Sequence, residues 1–151
     1  MKRKPFPLRP LILYYGLLQT LHLLTLARAG LLILLGAPAP FPILPPPGGW
    51  TDQAMAFLYG LAFTDVIGIL LGIRFAAKMI SQKELDRTLG ILSLTIFITG
   101  AIGFAAGTIP SGAWAAHPAA YGAMMVLFAP APFLLLQLLR TGSADGPSPE
   151  G

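Results

Sequence analysis

No cysteine occurs in the 151 residues. Disulfides, thiolate metal sites and a cysteine nucleophile are thereby excluded, and the redox compartment stays open. Charge is almost as scarce: Asp, Glu, Lys and Arg make up 11% of the chain, while 55% is hydrophobic and the mean hydropathy is +0.72. An average soluble domain carries about 25% charged residues, and an aqueous globule of this length has too little interior to hide so much apolar surface. Lipid leaves that surface unpenalised and demands only that backbone polar groups be satisfied internally. The apolar runs lack strand-like alternation, so the demand is met by helices.

Signature motifs are missing as well. The chain has no H-E-x-x-H, no G-x-S-x-G, no G-x-x-x-x-G-K-[ST] and no Rossmann glycine fingerprint. The pI near 9.8 would suit a nucleic-acid binder. However, the basic residues are neither interleaved with exposed aromatics nor spread along a soluble face, so no nucleic-acid partner is expected. The two histidines are His22 and His117. The second sits beside Pro118 at the outer surface, so a haem or pigment held between the two is not expected, although a single-histidine pigment ligand stays open. No metal site and no cofactor is assigned.

What is present is four apolar runs, about residues 11–36, 51–73, 88–109 and 119–139, each meeting the roughly 20 residues needed to cross a 30 Å hydrocarbon core. Nine of the ten Lys and Arg residues lie before the first run, between the second and third, or after the fourth; Arg28 is the exception. The other two connections carry none. By the positive-inside rule, both termini and the middle loop are cytoplasmic. Trp50 and Trp114 fall at the opposite boundary, where an indole ring sits in the interface with its N–H wet. The expected fold is therefore all-α: a polytopic protein of the cell membrane with four transmembrane helices in an antiparallel bundle, comprising residues 1–140. A polar tail, 141–151, is expected to be disordered. An N-terminal "KRK" before an apolar run resembles a secretory signal, but the run is too long for a signal core and Pro40 would follow the candidate cut, so cleavage is not expected. The layout is similar to that of small bacterial four-helix membrane families such as the DoxX-like proteins; no motif aligns, and no residue role is carried over.

Within this frame, small residues recur every fourth position in the second run (Ala56, Gly60, Thr64, Gly68, Gly72) and again in the third (Thr95, Thr99, Gly103, Gly107). Such rows permit close backbone approach, which matters in lipid because no hydrophobic drive holds helices together there. They predict a tight hairpin of the second and third spans, or a homodimer interface. Pro130 and Pro132 should bend the fourth span and free carbonyls near Val126 and Phe128. The mixed stretch 74–88 predicts a short interfacial turn or a plain basic loop. Residues 38–47 contain six prolines; they form a stiff strap across the outer end, with Gly48 and Gly49 reversing the chain before Thr51 or Asp52 caps the next helix.

An ionisable side chain at membrane depth is expensive, so each invites a functional hypothesis. Asp65 lies well inside the second span, bordering its small-residue row. Tyr15, Gln19 and His22 fall within about 60° of one another on the first helix, at a similar depth. A buried polar cluster of Asp65, His22, Gln19 and Tyr15 is thus expected between the first two spans. It is read as a register-fixing network, as polar contacts in an apolar ligand pocket, or as an acid/base pair. Arg28, about 180° from Gln19, is expected to snorkel to outer headgroups, or to meet an anionic lipid, a substrate carboxylate or Asp52 at the outer start of the second span. The leading expectation is a non-enzymatic accessory subunit of a larger membrane complex, or a lipophilic-ligand-binding module. The alternative is a membrane-embedded acid/base enzyme or proton-coupled carrier using Asp65 and His22.

Overall fold

In the computed structural model, which describes residues 8–36, 43–83 and 85–141, the first helix begins at Leu8 rather than Leu11. Pro10 does not prevent this, because amides of the first turn have no intrahelical acceptor to lose. α1 (Leu8–Leu34) ends where Gly36 turns left-handed at φ 66° and donates to the Ile33 carbonyl, a glycine-terminated C-cap. α2 (Asp52–Ser81) opens on Thr51, whose hydroxyl accepts from the Ala54 amide at 3.2 Å. It continues eight residues past the expected end at Ile73. The residues beyond, Arg74 to Ser81, are mostly good helix formers, and Lys78 in the last turn pairs with Asp86 at 2.7 Å. The expected interfacial turn is therefore the end of α2, and Lys83, at φ 55°, stands in the short reversal that follows.

Asp86 also caps α3 (Arg87–Thr108), accepting from the Leu89 amide at 3.0 Å. The Lys78 hydrogen bond, aided by this amide, holds its carboxyl below the ordinary carboxylate value. A four-residue helix, α4 (Ala113–Ala116), precedes a fourth span made of two pieces: α5 (Pro118–Phe128) and α6 (Pro130–Thr141). Pro130 has no N–H to continue the ladder, so the helix restarts there. The Leu127 carbonyl, between the two positions expected to be freed, accepts the Tyr14 hydroxyl of α1 at 2.8 Å.

The described residues are helical apart from their connections, and four stretches are long and apolar enough to cross a membrane: Leu8–Leu34, Asp52–Ser81, Arg87–Thr108 and Pro118–Arg140. Large apolar side chains such as Leu17, Leu24, Phe63, Ile67 and Val126 point outward, as hydrocarbon solvent allows. The buried core is concentrated at one end, where Ile12 and Tyr15 of α1, Phe75 of α2, Leu94 of α3 and Leu134 and Leu138 of α6 pack together. Arg87 holds that end shut, donating to the carbonyls of Leu138 and Leu139 at 2.6 and 3.0 Å. Glycine makes the closeness possible. A Cβ at Gly16 would strike Ala76, one at Gly90 would strike Phe75, and one at Gly72 would meet Ser93, Gln19 and Tyr15.

The small-residue rows behave differently from expectation. Gly68 and Gly72 face α3 across Ile96 and Ser93, but Ala56, Gly60 and Thr64 are exposed, and a Cβ at Gly60 would meet nothing. On α3, Gly103 and Gly107 abut Leu61 and Phe57 of α2 as expected, but Thr95 and Thr99 are exposed, and Ser93 and Gly100 take their place in the seam. The reason is angular. Successive residues are 100° apart, so a row of every fourth residue drifts about 40° per step and five members span about 160°, more than one partner can face. The tail 142–151, the segment 37–42 and Lys2, Arg3 and Lys4 lie outside the described residues.

Candidate functional site

Opposite the packed end, the bundle is hollow. α6 lies against α3 and α1, but α5 makes its main contacts with its neighbours α4 and α6. α5 is braced by stacking of Tyr121 on Trp114 and Phe104, with ring centroids 4.9 and 6.3 Å apart. The fourth span is interrupted at Pro130, and a cavity of about 430 Å3 lies between α1, α2, α3 and α5.

The cavity has two levels. His22, Asp65, Phe97 and Phe128 form its deep part. His22 stands 14 residues from the start of α1 and 12 from its end; Asp65 stands 13 from the start of α2 and 16 from its end. At 1.5 Å per residue, both lie about 20 Å from either helix end, near the midpoints of two helices long enough to cross a membrane. From there the walls rise through Leu58 and Ala62 of α2, Phe104 of α3 and Met124 of α5 to Ile43 of the strap. The strap is fastened over this end by its carbonyls: Leu44 O accepts from the Tyr121 hydroxyl at 2.8 Å, and Pro45 O lies 3.0 Å from His117 Nε2. Gly48 and Gly49, at φ 90° and 85°, make the expected reversal after Pro47, closed by the Gly49 amide on the Pro46 carbonyl. Neither tryptophan N–H is wet as expected. Trp114 Nε1 donates to Thr108 at 2.8 Å, and Trp50 Nε1 is buried without a partner among the described residues.

The four polar residues expected to cluster lie at two levels, Tyr15 beside Gln19 and within electrostatic reach of Asp65, and His22 with Asp65 at the cavity. Tyr15 bonds across to α3: its hydroxyl is 2.8 Å from Ser93 Oγ, which itself donates to the Gly68 carbonyl at 3.0 Å. Ser93 has one proton to give, so Tyr15 is the donor. This chain ties three helices below the cavity. Gln19 lies beside it, fully buried, yet neither atom of its amide reaches a partner at bonding geometry. His22 and Asp65 reach the cavity itself. His22 Nδ1 is buried and has no partner among the described residues, and the Asp65 carboxylate abuts α3 where Gly100 has no Cβ to obstruct it. No hydrogen bond or ion pair joins Asp65 to a described residue. Arg28 is exposed on α1 and away from the cavity.

Ser93, Gly100 and the Phe97, Phe104 and Phe128 lining were not singled out from the sequence. Ser93 is the one serine inside an apolar run, a polarity signal of the kind that drew attention to Asp65. The phenylalanines carry no signal that separates a cavity wall from lipid-facing surface. Among the described residues no three His, Asp or Glu side chains converge as a metal site. No protein family, curated protein or solved structure matches the chain.

Proposed function

We propose that this is a small multi-pass membrane protein, an antiparallel four-span bundle with both termini cytoplasmic, that binds a lipophilic ligand in its outer half without catalysis. The observation that carries the reading is the cavity: apolar walls, a size within the roughly 300–1,000 Å3 of small-molecule sites, and two polar side chains in its lining, His22 with a buried Nδ1 that has no partner among the described residues and Asp65. A polar group buried without a partner costs free energy, and a ligand supplying one recovers it. Orientation is supported by charge. Arg87 and the end of α6 meet at the packed end near Lys78, the end the positive-inside rule assigns to the cytoplasm, so the strap and cavity face the other way. Such a module serves alone or as an accessory subunit of a larger complex.

The test is purification in mild detergent followed by mass spectrometry of co-purifying small molecules, with Ala62→Trp as the cavity-filled control. A lipophile present with the wild type and absent from the variant supports binding; identical extracts from both sink it. A second reading, an acid/base pair or proton-coupled carrier, rests on His22 and Asp65 lining the same cavity. Asp65→Asn that keeps ligand binding but abolishes turnover or transport would favour it.

A further inference from the structure

The cavity contains an imbalance of charge that narrows the ligand class. Asp65 is an acidic side chain half-buried in an apolar chamber, and no Lys or Arg among the described residues pairs with it. The nearest basic residue on its own helix, Arg74, is nine positions on, about 13 Å along the axis, and is exposed. Arg28 is exposed, and no Lys or Arg among the described residues lines the cavity. A carboxylate in a low-dielectric site is stable only when paired. The surroundings are also those that suit a cation. Phe97, Phe104 and Phe128 present aromatic rings, whose faces attract positive charge, and Met124 and Met125 supply polarisable side chains that adapt to an irregular apolar body. The Gly100 notch admits the carboxylate against α3; a Cβ there would collide with Asp65 Oδ1.

Resting on the proposed binding function, we infer that the ligand is a lipophilic cation, its positive charge seated against Asp65 and its apolar body extending towards Ile43. The depth of the site is part of the argument. A glycerophospholipid carries its charge at the bilayer surface, whereas Asp65 lies near mid-membrane, so the ligand is a compact amphiphile whose charge travels with its apolar part. His22 offers a second polar contact at the same level.

The experiment is equilibrium dialysis of the full chain in mild detergent against tetraphenylphosphonium and against triphenylphosphine oxide, a neutral acceptor of similar shape. The expected result is saturable binding of the cation, tighter than the oxide by on the order of 30-fold, the loss associated with removing one member of a buried charge pair. Asp65→Asn should bring the two within a few-fold of each other, and Ala62→Trp should abolish both. Equal binding of cation and oxide, insensitive to Asp65→Asn, overturns the charge assignment while leaving a lipophile site in place. Preference for the oxide overturns it in favour of a neutral acceptor ligand bound by a protonated Asp65. Should Asp65→Asn fail to fold, the wild-type preference between the two probes decides alone. If wild-type protein binds neither, and no lipophile co-purifies with it, the binding function itself falls.

Discussion

The Tyr15 hydroxyl, the Ser93 hydroxyl and the Gly68 carbonyl form a chain that crosses three helices, and it carries the clearest energetic prediction at the scale of single residues. Hydrogen bonds between membrane helices are worth about 0.6 kcal/mol on average and up to about 1.7. Ser93→Ala should therefore lower stability by roughly that amount, read as an earlier thermal transition in the fluorescence of Trp50 and Trp114. Gln19 predicts the opposite sign. Its fully buried amide has no hydrogen-bond partner among the described residues, and an unsatisfied buried polar group costs about 1–3 kcal/mol. Gln19→Met, similar in volume, should match or raise the thermal midpoint; a fall of comparable size would mean the amide holds something essential. Asp65 was legible as exceptional from its depth alone. That its neighbour would be Gly100, on the third span rather than the first, was not, because a helical wheel orders residues around one axis and says nothing of which helix stands opposite.

Among the elements, the broken fourth span matters most. Pro130 separates α5 from α6, and α6 stays with the core while α5 leaves room for the cavity. Pro130→Ala restores a backbone donor and should favour one continuous helix. The expected result is a narrower cavity and weaker lipophile binding with unchanged or higher thermal stability. Binding that is unaltered would show that the opening is maintained by the strap instead. At the other end, Asp86 joins α2 to α3 through Lys78 and the Leu89 amide. Its folded-state pKa lies below the ordinary value of 3.8, so its contribution is present above that value and is lost as pH falls through the lower, folded one. Acid titration below about pH 4 should weaken wild type more than Asp86→Asn, measured as the pH dependence of the thermal midpoint.

At the scale of the molecule, the packed basic end and the hollow strap end define an axis, and the absence of cysteine makes its direction easy to test. A single Ser111→Cys, between α3 and α4, should react with a membrane-impermeant maleimide in intact cells. Gln82→Cys, after α2, should react only once the membrane is opened. The reverse pattern would invert the topology and put the cavity on the cytoplasmic side.

Four apolar helices, their approximate limits and the grouping of cations at one end were determined by the sequence alone, because length, hydropathy and charge are properties of each segment taken separately. The capping of α2 by Thr51 and the reversal at Gly48 and Gly49 were legible for the same reason: both are settled within a few residues of backbone. Which half of the small-residue row would pack, whether Tyr15 would meet Asp65 or Ser93, and the presence of a chamber beneath Ile43 were decided only by the tertiary structure. These depend on the angle at which whole helices meet. A drift of about 40° per step along a row turns a face from protein to lipid without altering any local pattern.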